Sequence, residues 1–370
     1  MAQVSRTRRL IPEAPAEPEA TMAVAPGAPL VTSGFHPLAD FANFGPDEAL
    51  MLLESGADLE VFATEIAGLL TSYLSSRLPR AGISGAVVDR EDLEEWLSRS
   101  STGPFDEGFA SYLRELTHVG GGSTFPGVNV PLPPQMIVGL MGWLQGELLF
   151  ALGEVSDTIT LSAIGGIWMD ELMLQLGIIL EPVLTSPKGP RDYHGHQPEL
   201  HPYADLAGFG PPEGKILGET GALLAPAASG VISLAYTYLL SRPESAGFFS
   251  ESDHLAQRKQ TLKAWWIRTA ADPFEENGSF GDYMRKVANA HVLNGGTHPS
   301  VEIPPQLTIA LMGWVQMRVM TALNTIALDP AGAATFGELG DPAALAAVGR
   351  AWMLMLTLQL GVLIDPYLTT

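Results

Sequence analysis

The chain repeats itself, and that repetition limits what it can fold into more than any other feature. FHPLADFANFGP at residues 35–46 returns as LHPYADLAGFGP at 200–211, an offset of 165. The same offset carries Tyr73 to Tyr238 and Arg77 to Arg242. Trp96 pairs with Trp265 at 169, Tyr112 with Tyr283 at 171, and LPPQMIVGLMGWLQ (132–145) with IPPQLTIALMGWVQ (303–316) without a gap. WMDELMLQLGIILEPVLT (168–185) then matches WMLMLTLQLGVLIDPYLT (352–369) at 184. The offset only grows, so the second copy has gained loops. This reads as two copies of one unit of about 150 residues, and any architecture assigned to one half must also suit the other. The expected boundaries are a disordered Ala/Pro/Glu-rich tail over 1–34, a first unit over 35–185, a Pro/Gly/charge linker over 186–199 and a second unit over 200–370.

Each copy reads as helical. Helices are expected over 58–77 and its match 223–242, over 251–271, over 280–292 ending at Asn294–Gly296, and over 305–326 and 341–364. Period-two alternation flanked by turn dipeptides is absent, so the expected class is all-α. Residues 346–364 are long and apolar enough to cross a bilayer, with Arg350 as their one charge. Their repeat partner 162–180 carries Asp170 and Glu171 mid-segment, which would be costly in lipid. A buried helix, or one at an interface, is therefore expected in both copies, and no membrane insertion.

Composition removes several function classes. The chain holds 20 Lys and Arg against 41 Asp and Glu, a net charge of −21, which repels a phosphate backbone and speaks against nucleic acid. It has no cysteine, so disulfides, thiolate catalysis and iron–sulfur clusters are excluded and a metal must be held by His, by carboxylate or inside a cofactor. Arg6, Arg8 and Arg9 are not followed by an apolar stretch, so no secretory signal is expected, and the protein is expected in the cytoplasm.

Sequence patterns for catalysis are missing: no H-E-x-x-H, no G-x-S-x-G and no P-loop lysine. His194 and His196 sit in the linker without a third ligand nearby, and His36 and His201 belong to the repeated H-P-x-A-D motif. His291 differs. It closes a helical pattern whose apolar face holds Val287 and Ala290, with small neighbours that leave room, and a neutral imidazole in an apolar setting is a good ligand for a haem iron.

Three further segments carry a resemblance. AYTYLLSRP (235–243), RKQTLKAWW (258–266) and DYMRKVANAHVLNGG (282–296) resemble, in that order, the helix-B, helix-E and helix-F signatures of the sensor-globin and protoglobin family. The resemblance implies a globin-like fold for the second copy and, through the repeat, for the first. It implies that His291 is the proximal ligand of the iron of one haem b, that Tyr236 is the distal tyrosine, and that Thr261 holds the position of a second hydrogen-bond donor. Leu262, Trp265, Val287 and Met312 would form the apolar shell that keeps water away. The first copy departs from this pattern: His291 aligns with Gly120, Tyr236 with Thr71 and Thr261 with Asp92. That copy is expected to be haem-free.

Members of this family commonly dimerise through their last two helices, which here are the most apolar segments. The two copies are thus expected to pair within one chain as a pseudo-dimer, with an unidentified protein partner as a further option. The first functional reading is a haem protein binding O2, CO or NO for sensing or storage. The second is a haem-free regulatory or interaction module of globin fold. A haem enzyme such as a peroxidase or NO dioxygenase ranks last, because no reductase domain accompanies the motifs, and no catalytic residue is assigned.

Overall fold

The computed structural model describes residues 35, 38–42, 44–185, 204–205, 207–249, 252–271, 283–284, 287–288, 303–329 and 340–368. The tail over 1–34, the linker over 186–199, His36, His194, His196, His201 and His291 lie outside them, as does most of the segment expected as a helix over 280–292. The protein is all-α with a globin-type fold. In the first half run α1 (Ala39–Ala42), α2 (Pro46–Arg77), α3 (Arg90–Thr102), α4 (Glu107–Thr117), α5 (Pro134–Val155), α6 (Thr158–Ile179) and α7 (Glu181–Thr185). In the second half run α8 (Pro211–Leu224), α9 (Ala228–Ser241), α10 (Pro243–Phe249), α11 (Ser252–Ala271), α12 (Pro305–Leu328) and α13 (Pro342–Leu368).

Local chemistry sets most of the helix starts. Asp89, Asp106 and Asp157 accept hydrogen bonds from the exposed N–H groups of α3, α4 and α6, at 2.9 Å from Glu91, 3.0 Å from Phe109 and 2.7 Å from Thr160. Pro46, Pro134, Pro211 and Pro305 occupy first-turn positions, where a missing N–H costs nothing. In both halves a glutamate reaches back to the residue before the helix: Gly45 N–H donates to Glu48 at 3.0 Å and Gly210 N–H to Glu213 at 2.9 Å.

Two expectations need correction. The helix expected over 223–242 is not continuous. α8 and α9 meet at an 81° bend over residues 225–227, whereas the matching stretch of the first half is one helix, α2. Pro226 explains the difference, since its ring cannot sit inside a helix and it offers no N–H, and the repeat places Val61 at the equivalent point. The second correction concerns strands. His118–Val119 and Gly122–Ser123 form a short antiparallel hairpin closed by Gly120 and Gly121, whose positive φ angles of 59° and 80° let the chain reverse there.

The centre of the molecule is a four-helix bundle made by both halves. α5 packs along α13 and α6 along α12, and the bundle is completed by α5 on α6 and α12 on α13. Pro134–Val155, Thr158–Ile179 and Pro342–Leu368 are long and apolar enough to cross a membrane, but 83–89% of their most apolar stretches is buried inside the protein. At the middle of the bundle, Gln145 of α5 and its repeat partner Gln316 of α12 exchange hydrogen bonds. Each side-chain amide donates to the other's carbonyl at 3.0 Å. A residue that contacts its own equivalent marks a two-fold relation.

The repeated opening motifs cross between halves in the same way. Tyr238 of α9 donates its hydroxyl to the Phe41 carbonyl of the first arm. Tyr73 of α2 donates to the Asp205 carbonyl of the second arm at 3.4 Å, and Arg77 pairs with the Asp205 carboxylate at 2.6 Å. Each tyrosine also stacks on the tryptophan of its own G-W motif, Tyr73 on Trp143 and Tyr238 on Trp314, with ring centroids 4.6 Å and 5.6 Å apart.

Candidate functional site

The described site residues of the second half lie on α9, α11, α12 and the helical residues 283–284 and 287–288. α11 packs on α9 and on α8, and α9 also touches α12. Tyr236 of α9 is buried at 5% exposure, and burial pushes its phenol up to about 12, so the hydroxyl stays neutral across physiological pH. Lys259 of α11 sits over its ring at 5.7 Å. The segment 283–288 is tied to the same helix: Tyr283 donates its hydroxyl to the Thr261 carbonyl at 3.0 Å, and Arg268 covers the Tyr283 ring at 4.7 Å. Met284, Ala288 and Met312 are buried, and Leu262 and Val287 pack half-buried against the same core.

Trp265 is buried and held in one orientation. Its indole N–H donates to Gln359 of α13 at 2.5 Å, the Gln359 amide donates to Thr269 at 3.1 Å, and the Thr269 hydroxyl donates to the Trp265 carbonyl at 2.9 Å. Next to it, Trp266 donates to the Leu224 carbonyl at 3.1 Å, where α8 ends before the Pro226 bend. Thr261 stands apart. It is exposed, and its hydroxyl donates to the Gln257 carbonyl one turn earlier at 3.1 Å, so its main-chain carbonyl rather than its side chain joins α11 to Tyr283.

The first half repeats the triad and changes its surroundings. Trp96 donates to Gln175 at 2.6 Å, Gln175 to Ser100 at 2.9 Å, and Ser100 to the Trp96 carbonyl at 2.9 Å. Gln175 also donates to Glu171, whose repeat partner is Met355. The Glu171 carboxyl is fully buried, its second oxygen has no hydrogen-bond partner, and burial pushes it up to about 8. At the positions of Tyr236 and His291 stand Thr71, bonded back to the Ala67 carbonyl at 2.7 Å, and Gly120, in the turn of the hairpin. His118 nearby is bonded through Nε2 to the Ile178 carbonyl at 3.1 Å.

Sequence reasoning missed Gln359, Thr269, Lys259 and Tyr283. A signal for two of them was present. The L-Q-L at 174–176 recurs at 358–360, and a hydroxyl residue stands four positions after each paired tryptophan, at Ser100 and Thr269. Lys259 and Tyr283 meet Tyr236 and Thr261 only through tertiary packing, which no spacing encodes.

Tyr236 brings a buried neutral phenol and Trp265 a fixed indole to the core that Leu262, Val287 and Met312 share, side chains of the kind a haem would need around it, while His291, the expected iron ligand, lies outside the described residues. Among the described residues no cluster of three or more His, Asp or Glu could hold a bare metal ion. No curated protein and no solved structure is a significant match for the chain. The family model that matches is Protoglobin, over residues 197–370, which makes the second half of this chain similar to the protoglobins.

Proposed function

We propose that the second half binds one haem b and a diatomic gas, O2, CO or NO, for sensing or storage, and that the haem-free first half is its fused partner in a pseudo-dimer. The observation that carries this reading is the buried, neutral Tyr236, in the half that matches the Protoglobin model and on the helix that the resemblance made the distal one.

The haem would supply a ferrous iron with an open position for a diatomic ligand. His291 is the imidazole that would hold it from the proximal side. Tyr236 would donate the hydrogen bond that a polarised ligand requires, since its hydroxyl keeps its proton at working pH. Leu262, Val287 and Met312 exclude water, and Trp265 keeps a fixed wall because Gln359 and Thr269 satisfy its N–H and carbonyl. With its hydroxyl turned back on α11, Thr261 leaves the donor role to Tyr236. The pairing of the halves is supported by the shared bundle and the reciprocal Gln145–Gln316 contact.

A second reading, a haem-free regulatory module, is favoured by that turned-back Thr261 hydroxyl. One spectrum separates the two. The full chain, purified with haem supplied, should give a Soret band that shifts with CO and is lost in His291→Ala, at one haem per chain. A wild-type chain with no Soret band refutes the gas-binding reading.

A further inference from the structure

The bundle faces are related by a two-fold but are not alike. α5 corresponds to α12, and α6 to α13, so the α5·α13 contact and the α12·α6 contact are the same contact made twice. At some positions the two versions agree. A Cβ at Gly165 of α6 would lie 3.8 Å from Met320 of α12, and one at its equivalent Gly349 of α13 would lie 3.3 Å from Leu149 of α5, the equivalent of Met320. At others they are complementary.

In the α5·α13 contact, Gly146 is the notch and Arg350 fills it. A Cβ at 146 would lie 2.7 Å from Arg350 Cγ, closer than any side chain allows. In the α12·α6 contact the sizes are reversed. Met317, the equivalent of Gly146, is the knob, and Gly166, the equivalent of Arg350, is the notch, with a Cβ at 166 falling 3.0 Å from Met317 Cγ. Charge follows the same division. Glu147 of α5 faces Arg350 at 3.6 Å, while its equivalent Arg318 of α12 lies near enough to the buried Asp170 of α6 to offset part of the upward push that burial gives its carboxyl, and the equivalent of Asp170 is Leu354. Of the charged groups that face each other across the two contacts, the acidic members are on the first half and the guanidinium members on the second, while Arg350 also meets Glu213 of its own half.

We propose that the paired faces form a keyed recognition surface: each half is shaped and charged for the other half and against a second copy of itself. Two first-half faces brought together would set Gly146 against Gly166, leaving a void, and Glu147 beside Asp170. Two second-half faces would set Met317 into Arg350 and Arg318 beside Arg350. One pairing lacks volume and sets two carboxyl groups together with no guanidinium; the other has too much volume and sets two guanidinium groups together. The partner that fits the second half is thus the acidic, notched face of a first half. The inference rests on the pairing of halves proposed above and is independent of haem, so a chain without a Soret band can still pass or fail it.

The test uses the full chain without added haem and three variants. The first gives the first half the second half's key: Gly146→Met, Glu147→Arg, Gly166→Arg and Asp170→Leu. The second makes the reverse change: Met317→Gly, Arg318→Glu, Arg350→Gly and Leu354→Asp. The third carries all eight substitutions and exchanges the keys. There an arginine at 166 gains Glu48, the equivalent of the Glu213 that Arg350 meets at 3.7 Å. Thermal melts followed by circular dichroism should show either half-set lowering Tm by roughly 10 °C or preventing folding. The exchanged chain should recover most of that loss and sediment as the wild type does. Half-sets that melt like the wild type, or an exchanged chain that melts as low as the half-sets or fails to fold, overturn the proposal.

Discussion

Replacing Glu171 by Gln should remove a pH dependence from the stability of the whole protein. In the native state the Glu171 carboxyl lies among Trp96, Ser100 and Gln175, accepts one hydrogen bond from Gln175 and leaves its second oxygen unpartnered. Burial raises it from 4.5 to about 8. The unfolded chain therefore releases this proton near pH 4.5 while the native chain keeps it to about pH 8. The native state binds more protons across that window, so stability is fully present below pH 4.5 and falls as pH rises toward 8. Integrated from pH 5 to pH 8, one such group removes roughly 3–4 kcal/mol, about 1.4 kcal/mol per pH unit. Gln keeps the shape and the acceptor for Gln175 and cannot ionise. It introduces a buried NH2 where the unpartnered oxygen was, a cost of about 1–3 kcal/mol that does not change with pH. Urea melts at pH 5, 6, 7 and 8 should therefore show the variant less stable than the wild type at pH 5 and gaining on it by roughly 3–4 kcal/mol at pH 8. A stability difference between the two proteins that stays flat over this range would refute the assignment of a buried, protonated carboxyl. Asp170, also raised by burial, is present in both proteins and drops out of the comparison.

Other outcomes follow from the site and the arms. Tyr236→Phe should keep the Soret band and speed O2 dissociation about tenfold by flash photolysis, the loss of one hydrogen bond of about 1–1.5 kcal/mol. Gln359→Leu should destabilise the chain by about 1–3 kcal/mol in urea, because it orphans the buried Trp265 N–H. Arg77→Ala should cost no more than about 1 kcal/mol, since its partner Asp205 is 78% exposed and solvent screens the pair.

The pattern of helices was readable because apolar periodicity, proline starts and aspartate caps are local signals, and the repeat let each half check the other. α11 lies within a residue of its expected span, and α12 and α13 start where Pro305 and Pro342 place them. Two departures from the expected pattern have local causes in the sequence. Pro226 inside an expected helix was enough to break it, and Gly120–Gly121 after α4 reverse the chain into a hairpin too short for a period-two pattern to reveal. The site was legible to the extent that burial follows helix face: Trp265 and Leu262 share a face of α11, and Tyr236 lies inward on α9. Thr261 is one position off that face, about 100° round the helix, and so it is exposed. The polar partners of Trp265 and Trp96 come from α13 and α6, more than 70 residues away in sequence, and only the repetition of L-Q-L hinted at them.

The reciprocal contacts at the bundle centre also set a timetable for biosynthesis. Gln145 reaches Thr357 at 3.0 Å across 212 residues of chain, and Tyr73 waits 132 residues for the arm that covers it. At roughly 5–20 residues per second, the interval between synthesis of Gln145 and of Thr357 is on the order of 10–40 s. Throughout that interval the first half must carry α5 and α6, two of its most apolar helices, with half of their packing missing. Glu147 and Asp170, the acidic side chains that meet Arg350 and Arg318 of the second half, keep the waiting surface from being purely greasy until its counterpart emerges.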